Sequence, residues 1–159
     1  EIRRPAWMAA KNVKPQAPKL KAVQEALEQG NVKLALKRSE ALLEKHPSSN
    51  AGRAQRALAL EISGSRREAL LFCSEVRKTK CTDPQVLSTL RDVYLHALLL
   101  GEITAIYEAA VAEDEENEGN YVSLYLALAH EGDRIPRQQQ VALQLHRRFQ
   151  RPHFLYWAA

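Results

Sequence analysis

The sequence repeats a pattern of small residues with a fixed period, and this period restricts the fold more than any other feature. Gly30 and Ala35 recur as Gly64 and Ala69, so both are displaced by the same distance along the chain. Between these positions the apolar residues follow the spacing of three and four that is typical of amphipathic helices. A glycine can end one helix in a left-handed conformation, and a polar residue after it can cap the next helix. The pattern therefore predicts a chain of helix pairs.

A helix pair that recurs about every 34 residues is characteristic of tetratricopeptide repeats, and the displacement from Gly30 to Gly64 matches that period. We predict two further turns at Gly101 and Gly132, at unequal spacings that average with the first spacing to the same period. The predicted helices span residues 19–29, 32–45, 50–63, 66–79, 84–99, 102–114, 119–131 and 137–150. The expected fold class is all-α, a tetratricopeptide-type α-solenoid of about four helical pairs plus the start of a fifth.

Local signals mark several of the helix starts. Asn31 can cap the second predicted helix, and Asp83 can cap a helix whose first turn holds Pro84. Ser65 and Glu68 match the capping box, in which a hydroxyl and a carboxylate satisfy free amide groups. Small side chains at Ala35 and Ala69 let paired helices approach closely, so both are predicted to be buried.

Three prolines near the start of the chain, Pro5, Pro15 and Pro18, argue against a continuous helix there. We predict an extended or disordered basic arm over residues 1–18, a helical repeat domain over residues 19–152 and the truncated start of a further repeat over residues 153–159. The candidate basic arm comprises Arg3, Arg4, Lys11, Lys14, Lys19 and Lys21, with Glu1 as the one acid over the range 1–21. Such a charge imbalance can attract nucleic acid electrostatically, although a tail that binds nothing is an equally simple interpretation.

Composition excludes several classes of protein. Apolar residues make up 45% and charged residues 26%, which is a soluble, globular balance. No apolar run approaches the roughly 18 residues that a membrane span needs, so no membrane partner is expected. Two cysteines cannot form a disulfide framework, and we expect a reducing, cytoplasmic setting.

The sequence contains no arrangement of residues that is typical of a catalytic or metal site. It lacks a glycine-rich phosphate loop, a His-Glu-x-x-His pair and a Gly-x-Ser-x-Gly elbow. Cys73 and Cys81 are too far apart for the usual zinc-ligand pair, and Cys73 lies among apolar residues of a predicted helix. Tyrosines at helical spacing favour packing between helices: Tyr94, Tyr107, Tyr121 and Tyr125. We therefore predict no catalytic residue, no cofactor and no metal, hence a non-enzymatic protein.

Several segments resemble a known family when their order is considered together. They are residues 30–36 (Gly-Asn-Val-Lys-Leu-Ala-Leu), 41–46 (Ala-Leu-Leu-Glu-Lys-His), 106–111 (Ile-Tyr-Glu-Ala-Ala-Val), the helix over 121–132, and Tyr156-Trp157. Over roughly residues 20–157 the chain resembles the amino-terminal end of the auxiliary subunit of N-terminal acetyltransferase B. The resemblance implies a non-catalytic scaffold for a catalytic subunit, which uses acetyl coenzyme A to acetylate nascent chains that begin with Met followed by Asp, Glu, Asn or Gln. A catalytic acetyltransferase subunit is the implied partner, and an approach to the ribosome is a further expectation.

The repeat register also predicts which residues face a partner. In a stack of helix pairs, the first helices line a concave surface that binds other macromolecules. The candidate concave-surface contacts are Lys21, Gln24, Glu28, Gln55, Glu61, Arg91, Asp92, Ser123 and His130.

Two alternatives remain. One is a free-standing tetratricopeptide adaptor that binds peptides, although Leu20 and Gln24 stand where chaperone-type carboxylate clamps need Lys and Asn. The other is nucleic-acid binding through the basic arm and through Arg134, Arg137, Arg147, Arg148 and Arg151. That signal needs only cations, so we expect no dedicated DNA binding, while contact with ribosomal RNA would fit the scaffold.

Overall fold

A computed structural model describes residues 17–158, and within this stretch the side chains of residues 20–157. The described residues form nine α-helices and no strand. The helices are α1 (Ala17–Glu28), α2 (Val32–Lys45), α3 (Asn50–Ile62), α4 (Arg66–Lys78), α5 (Pro84–His96), α6 (Leu100–Glu113), α7 (Glu118–Glu131), α8 (Ile135–Phe149) and α9 (His153–Ala158). The all-α, tetratricopeptide-type prediction is confirmed.

The predicted caps differ in outcome. The Asn31 side chain accepts a hydrogen bond from the Leu34 amide at 3.1 Å, and Asp83 accepts one from the Gln85 amide at 2.9 Å. Ser65 does precede α4, but its hydroxyl makes no capping hydrogen bond, so the capping-box prediction is wrong at that residue. Asn117 caps the start of α7, because its side-chain oxygen accepts a hydrogen bond from the Asn120 amide.

The third turn is not where the sequence pattern places it. Gly101 lies inside α6, and α5 ends at His96 instead of residue 99. The left-handed residue of this turn is Leu98, with φ of 59°. Gly30, Gly64 and Gly132 hold the equivalent conformation in the other three turns. The left-handed positions 30, 64, 98 and 132 are therefore evenly spaced, and the unequal spacings predicted from Gly101 are corrected.

Hydrogen bonds explain why a leucine adopts this conformation. The amide of Leu99 donates to the Tyr94 carbonyl at 2.8 Å, and the amide of Leu98 donates to the Leu95 carbonyl at 3.1 Å. The same pair of bonds closes the turns at Gly30 and Gly64. This is the Schellman motif, which satisfies the last carbonyls of a helix. The shared backbone motif thus imposes a left-handed residue on each of these turns, whichever side chain is present.

Small residues let the helices pack closely, as predicted. Ala35 and Ala69 are fully buried, and Cys73 lies in the same core as Ala69. Four tyrosines pack between helices, which confirms their predicted role: Tyr94, Tyr107, Tyr121 and Tyr125. Helix α3 packs against both α1 and α5, while α7 packs mainly against α6 and α8. Helix α5 therefore rests mainly on α3. Its contact with α7 is limited, although the Asn120 side-chain amide of α7 donates to the carbonyl of Thr82, just before α5, at 2.9 Å.

The ends of the chain bear on the domain predictions. Arg3, Arg4, Lys11 and Lys14 lie outside the described residues, so the arm over residues 1–18 remains a prediction. Helix α1 begins at Ala17, slightly before the predicted start at residue 19. Helix α9 covers most of the predicted segment 153–159 and packs against α8. No helix within the described stretch combines the length and apolarity needed to cross a membrane.

Candidate functional site

Two cavities open on the surface formed by α1, α3, α5 and α7, the first helices of the four pairs, which we name the A-helix face. The first cavity, the polar cleft, has a volume of about 490 Å³ and lies between α1, α3 and the start of α5. Three predicted contact residues line it, namely Lys21, Gln24 and Gln55, together with Asp83, Gln85 and Thr89. The repeat register thus brings these three residues to one site.

Gln55 is the most deeply buried polar side chain that lines the polar cleft. It is only 5% exposed, and its Oε1 atom makes no hydrogen bond to any described residue. A buried amide oxygen without a donor costs about 1–3 kcal/mol. This oxygen is itself buried, so it stays an unsatisfied acceptor inside the fold. The groups that the cleft offers include the charged side chains of Lys21 and Asp83.

The second cavity, the leucine groove, has a volume of about 230 Å³ and lies in the gap between α5 and α7, with α6 behind it. Its apolar walls are formed by Leu95, Leu100, Ile103, Leu126 and Ala127. Three predicted contact residues supply its polar groups: Arg91, Ser123 and His130. The groove is thus mostly apolar, with a cation near one end.

Polar groups beneath the groove are linked to its rim. The Tyr107 hydroxyl belongs to a side chain that is almost fully buried, and burial raises its pKa. The positive charge of Arg91 and a hydrogen bond with Ser123 oppose that rise in pKa. Tyr107 therefore stays a neutral phenol near neutral pH, and it helps to position Ser123 and Arg91.

Three predicted contact residues lie in neither cavity. Glu28 is exposed near the end of α1, and Asp92 is exposed beside Arg91, whose Nη2 atom is 3.4 Å from the Asp92 carboxylate. Glu61 is instead buried. Its Oε1 atom accepts a hydrogen bond from Arg66 Nη2 at 2.9 Å and lies 3.2 Å from His96 Nδ1. Its carboxylate joins α3 to α5 and is not open to a partner.

Sequence reasoning missed the apolar half of the site. The register singled out polar residues, whereas Leu95 and Leu126 contribute large exposed surfaces, with 45% and 55% exposure respectively. One signal in the sequence could have revealed Leu95. The run Leu95, Leu98, Leu99 and Leu100 contains more leucines than one buried helix stripe can accommodate, so some must face outward.

The two thiols have no features of a reactive site. Burial raises the pKa of Cys73 to about 12, and burial also raises the pKa of Cys81. A thiol needs a lowered pKa to act as a nucleophile near neutral pH. The described residues also contain no group of three His, Cys, Asp or Glu side chains that could hold a metal ion.

Most of the predicted arginine-rich cluster is engaged in ion pairs. Arg137 donates to both carboxylate oxygens of Glu108, at 2.8 and 2.7 Å. Arg148 pairs with Glu115 at 3.1 Å, and Arg151 pairs with Glu118 in the same manner. These pairs link α8 and the loop after it to α6, to the loop after α6 and to the first residue of α7. These arginines stabilise helix packing and are less available to nucleic acid than their sequence pattern suggests.

Comparison with known proteins agrees with this architecture. The family model for the N-terminal tetratricopeptide repeats of Psidin matches residues 18–159. The chain is 26% identical over 144 residues to the human protein N-alpha-acetyltransferase 25, NatB auxiliary subunit, a match that covers 91% of this chain and 15% of the human protein. It is 33% identical over 140 residues to the phagocyte signaling-impaired protein of Drosophila pseudoobscura pseudoobscura, covering 88% of this chain and 14% of that protein.

The related Aedes aegypti protein of the same name is 29% identical over 140 residues, again covering 88% of this chain and 15% of its own length. The chain therefore spans about 15% of the length of the curated relatives that it matches. The helix pairs, their even repeat register and the matched range agree with one another. The chain belongs to the family of Psidin-type N-terminal tetratricopeptide repeat regions.

Proposed function

We propose that this chain is part of the auxiliary subunit of an N-terminal acetyltransferase B-like complex, where it acts as a non-catalytic scaffold in the cytoplasm. The observation that carries the proposal is the match along 91% of the chain to a protein named as a NatB auxiliary subunit. The A-helix face supports a scaffold role, because it offers two cavities to a partner. Burial raises the pKa of Cys73, so this thiol is not poised to act as a nucleophile. The catalytic groups would then belong to the partner.

The partner can be identified by purification from the cells that make this protein. A tag on the natural gene product should recover an acetyltransferase catalytic subunit in a stoichiometric complex. That complex should acetylate a peptide that begins Met-Asp, whereas the purified chain alone should not. Recovery of the intact protein without an acetyltransferase would contradict the scaffold proposal, and acetyl transfer by the chain alone would contradict its non-catalytic role.

The basic arm is proposed to assist approach to the ribosome. Its cations outnumber its acids, and electrostatic attraction to ribosomal RNA needs little more than positive charge. Deletion of residues 1–18 should weaken co-sedimentation with ribosomes at low salt, and added salt should weaken the intact chain in the same way. Unchanged, salt-insensitive co-sedimentation after the deletion would exclude the arm.

The polar cleft favours a second candidate function, a free-standing adaptor that binds peptides. The lining of the cleft combines the cation of Lys21, the amide of Gln24 and the carboxylate of Asp83, which are groups that can hydrogen-bond the backbone of an extended peptide. The purification described above separates the two functions. An adaptor would be recovered with peptide-bearing clients and without an acetyltransferase catalytic subunit.

A further inference from the structure

We propose that the leucine groove docks a partner segment in which one large aliphatic side chain is flanked by carboxylates. This inference rests on the proposed scaffold function, because it gives the chemistry of a partner that the A-helix face accepts. The aliphatic side chain would enter the gap between α5 and α7. A carboxylate on the same segment would meet Arg91.

The size of the groove supports a side-chain anchor instead of a small-molecule cofactor. Ligand pockets usually measure about 300–1,000 Å³, and the groove has about 230 Å³. Along α7 it runs from Ser123 to His130, which is about 10 Å at a helical rise of about 1.5 Å per residue. Three residues of an extended chain cover a similar length, at about 3.3 Å each. The groove therefore accommodates one central side chain and its two neighbours.

The charges at the groove select the flanking residues. Arg91 lines it and is exposed, and its ion pair with Asp92 is long at 3.4 Å and joins adjacent residues. Such an exposed pair contributes little stability, so a partner carboxylate can take the place of Asp92. His130 lines the other end and can donate a hydrogen bond to a second carboxylate. A lysine at the flank beside Arg91 would face a like charge.

The apolar surface beside the groove is larger than the groove itself. Leu95 and Leu126 line it and are about half exposed. Leu98 is 81% exposed and lies in the turn between Leu95 and Leu100, both of which line the groove. Contiguous exposed leucines with a polar rim are typical of protein interaction sites. A partner segment that covered the groove would also bury this apolar rim.

The test uses the whole chain and three synthetic peptides. The probe is acetyl-Gly-Ser-Gly-Glu-Leu-Glu-Gly-Ser-Gly-amide, and its two analogues replace the Leu by Ala or both Glu by Lys. Binding is followed by chemical-shift changes in isotope-labelled protein. We expect saturable shifts at Ser123, Leu126 and His130, with both analogues binding at least fivefold more weakly. Equal binding of the Ala analogue, or the absence of saturable shifts at these residues, would overturn the proposal.

Protein variants locate the binding and test its charge preference. Leu126→Arg should abolish probe binding, while Leu71→Arg, a matched change at an exposed leucine of α4, should leave it unchanged. Arg91→Glu should reverse the preference, so that the Lys analogue binds better than the probe. Thermal melts of each variant establish that it is folded. Equal losses in Leu126→Arg and Leu71→Arg, or an unreversed preference in Arg91→Glu, would overturn the assignment.

The two proposals fail separately. If the peptides do not bind, the groove proposal is wrong, while recovery of an acetyltransferase subunit still supports the scaffold. If the peptides bind as expected but no acetyltransferase is recovered, the groove is supported and the scaffold proposal is wrong.

Discussion

Leu98 carries a conformational cost that the turns with a left-handed glycine, at Gly30, Gly64 and Gly132, avoid. A non-glycine residue in the left-handed region costs roughly 1–2 kcal/mol, and Leu98 gains little from burial because it is 81% exposed. Leu98→Gly removes that strain but adds flexibility to the unfolded chain. We expect a net gain of about 0.5–1 kcal/mol and a rise in Tm of about 1–4 °C. Thermal denaturation followed by circular dichroism measures the change.

The reverse substitution supplies the control. Gly64 holds the equivalent position with φ of 93°, so Gly64→Leu should lower Tm. A lower Tm for Leu98→Gly would show that the Leu98 side chain is stabilising despite its exposure.

Glu61 should make stability depend on pH. Its pKa is lowered chiefly by the hydrogen bond from Arg66, burial opposes that shift, and His96 adds to the lowering. A carboxylate with a lowered pKa stabilises the fold above its ordinary value of 4.5, and this contribution disappears as pH falls through the lowered pKa. Glu61→Gln should therefore cost about 1 kcal/mol at pH 7, since half-exposed Arg66 is partly screened by water.

Denaturant unfolding at several pH values tests this dependence. The difference between the original chain and Glu61→Gln should be present where Glu61 is ionised and should shrink in acid below the ordinary carboxyl pKa. Exposed Glu40 provides the matched control, and Glu40→Gln should change stability much less at pH 7. A difference that grew on acidification would contradict the role of Glu61.

Among the predicted helix caps, those of Asn31 and Asp83 are confirmed and that of Ser65 is wrong. Asn31 and Asp83 cap their helices because a side chain two or three residues away can reach a free amide. Leu98 could not be predicted by a rule that equates left-handed turns with glycine. Its conformation follows from hydrogen bonds to Tyr94 and Leu95, which any residue at that position must accommodate.

At the scale of the helix, Ala69 tests whether close packing sets the repeat. Ala69 on α4 is fully buried in the core that α3, α4 and α5 share. Ala69→Arg forces a long, charged side chain into this contact, so we expect a loss of about 3 kcal/mol or more. Leu71→Arg lies on the same helix but at an exposed position, and it should have little effect. A melting temperature equal to that of the original chain would contradict the buried register.

The helices could be predicted because their signals repeat, whereas the site could not be predicted completely. Register alone identified Arg91, Ser123 and His130, which the structure brings together. The groove exists, however, because the contact between α5 and α7 is limited. That spacing depends on the packing of α5 on α3 and of α7 on α6, which joins residues far apart in the sequence. No local pattern carries this information.

At the scale of the whole molecule, charge acts mainly between neighbouring helix pairs. Arg77 on α4 pairs with Glu102 on α6, and Arg137 on α8 pairs with Glu108 on α6. Exposed pairs of this kind contribute little individually, but they favour one alignment of successive pairs. The formal net charge of +4 comes entirely from residues 1–19, because residues 20–159 hold 18 basic and 18 acidic residues.

We expect the gap between α5 and α7 to divide the array into two cooperative units. Stability in repeat proteins is approximately a sum of each unit and its contacts with adjacent units. Helices α5 and α6 share one apolar core, and the Arg77–Glu102 pair crosses the same junction, but α5 and α6 pack less extensively than the paired helices within each unit and α7 adds little contact with α5. Native-state hydrogen exchange in low denaturant should therefore show two levels of protection, with a step between His96 and Leu100. A single level throughout would show that the chain unfolds as one unit. A segment bound in the groove would contact both units and should therefore remove the step. Hydrogen exchange along the whole solenoid would then report whether the groove is occupied.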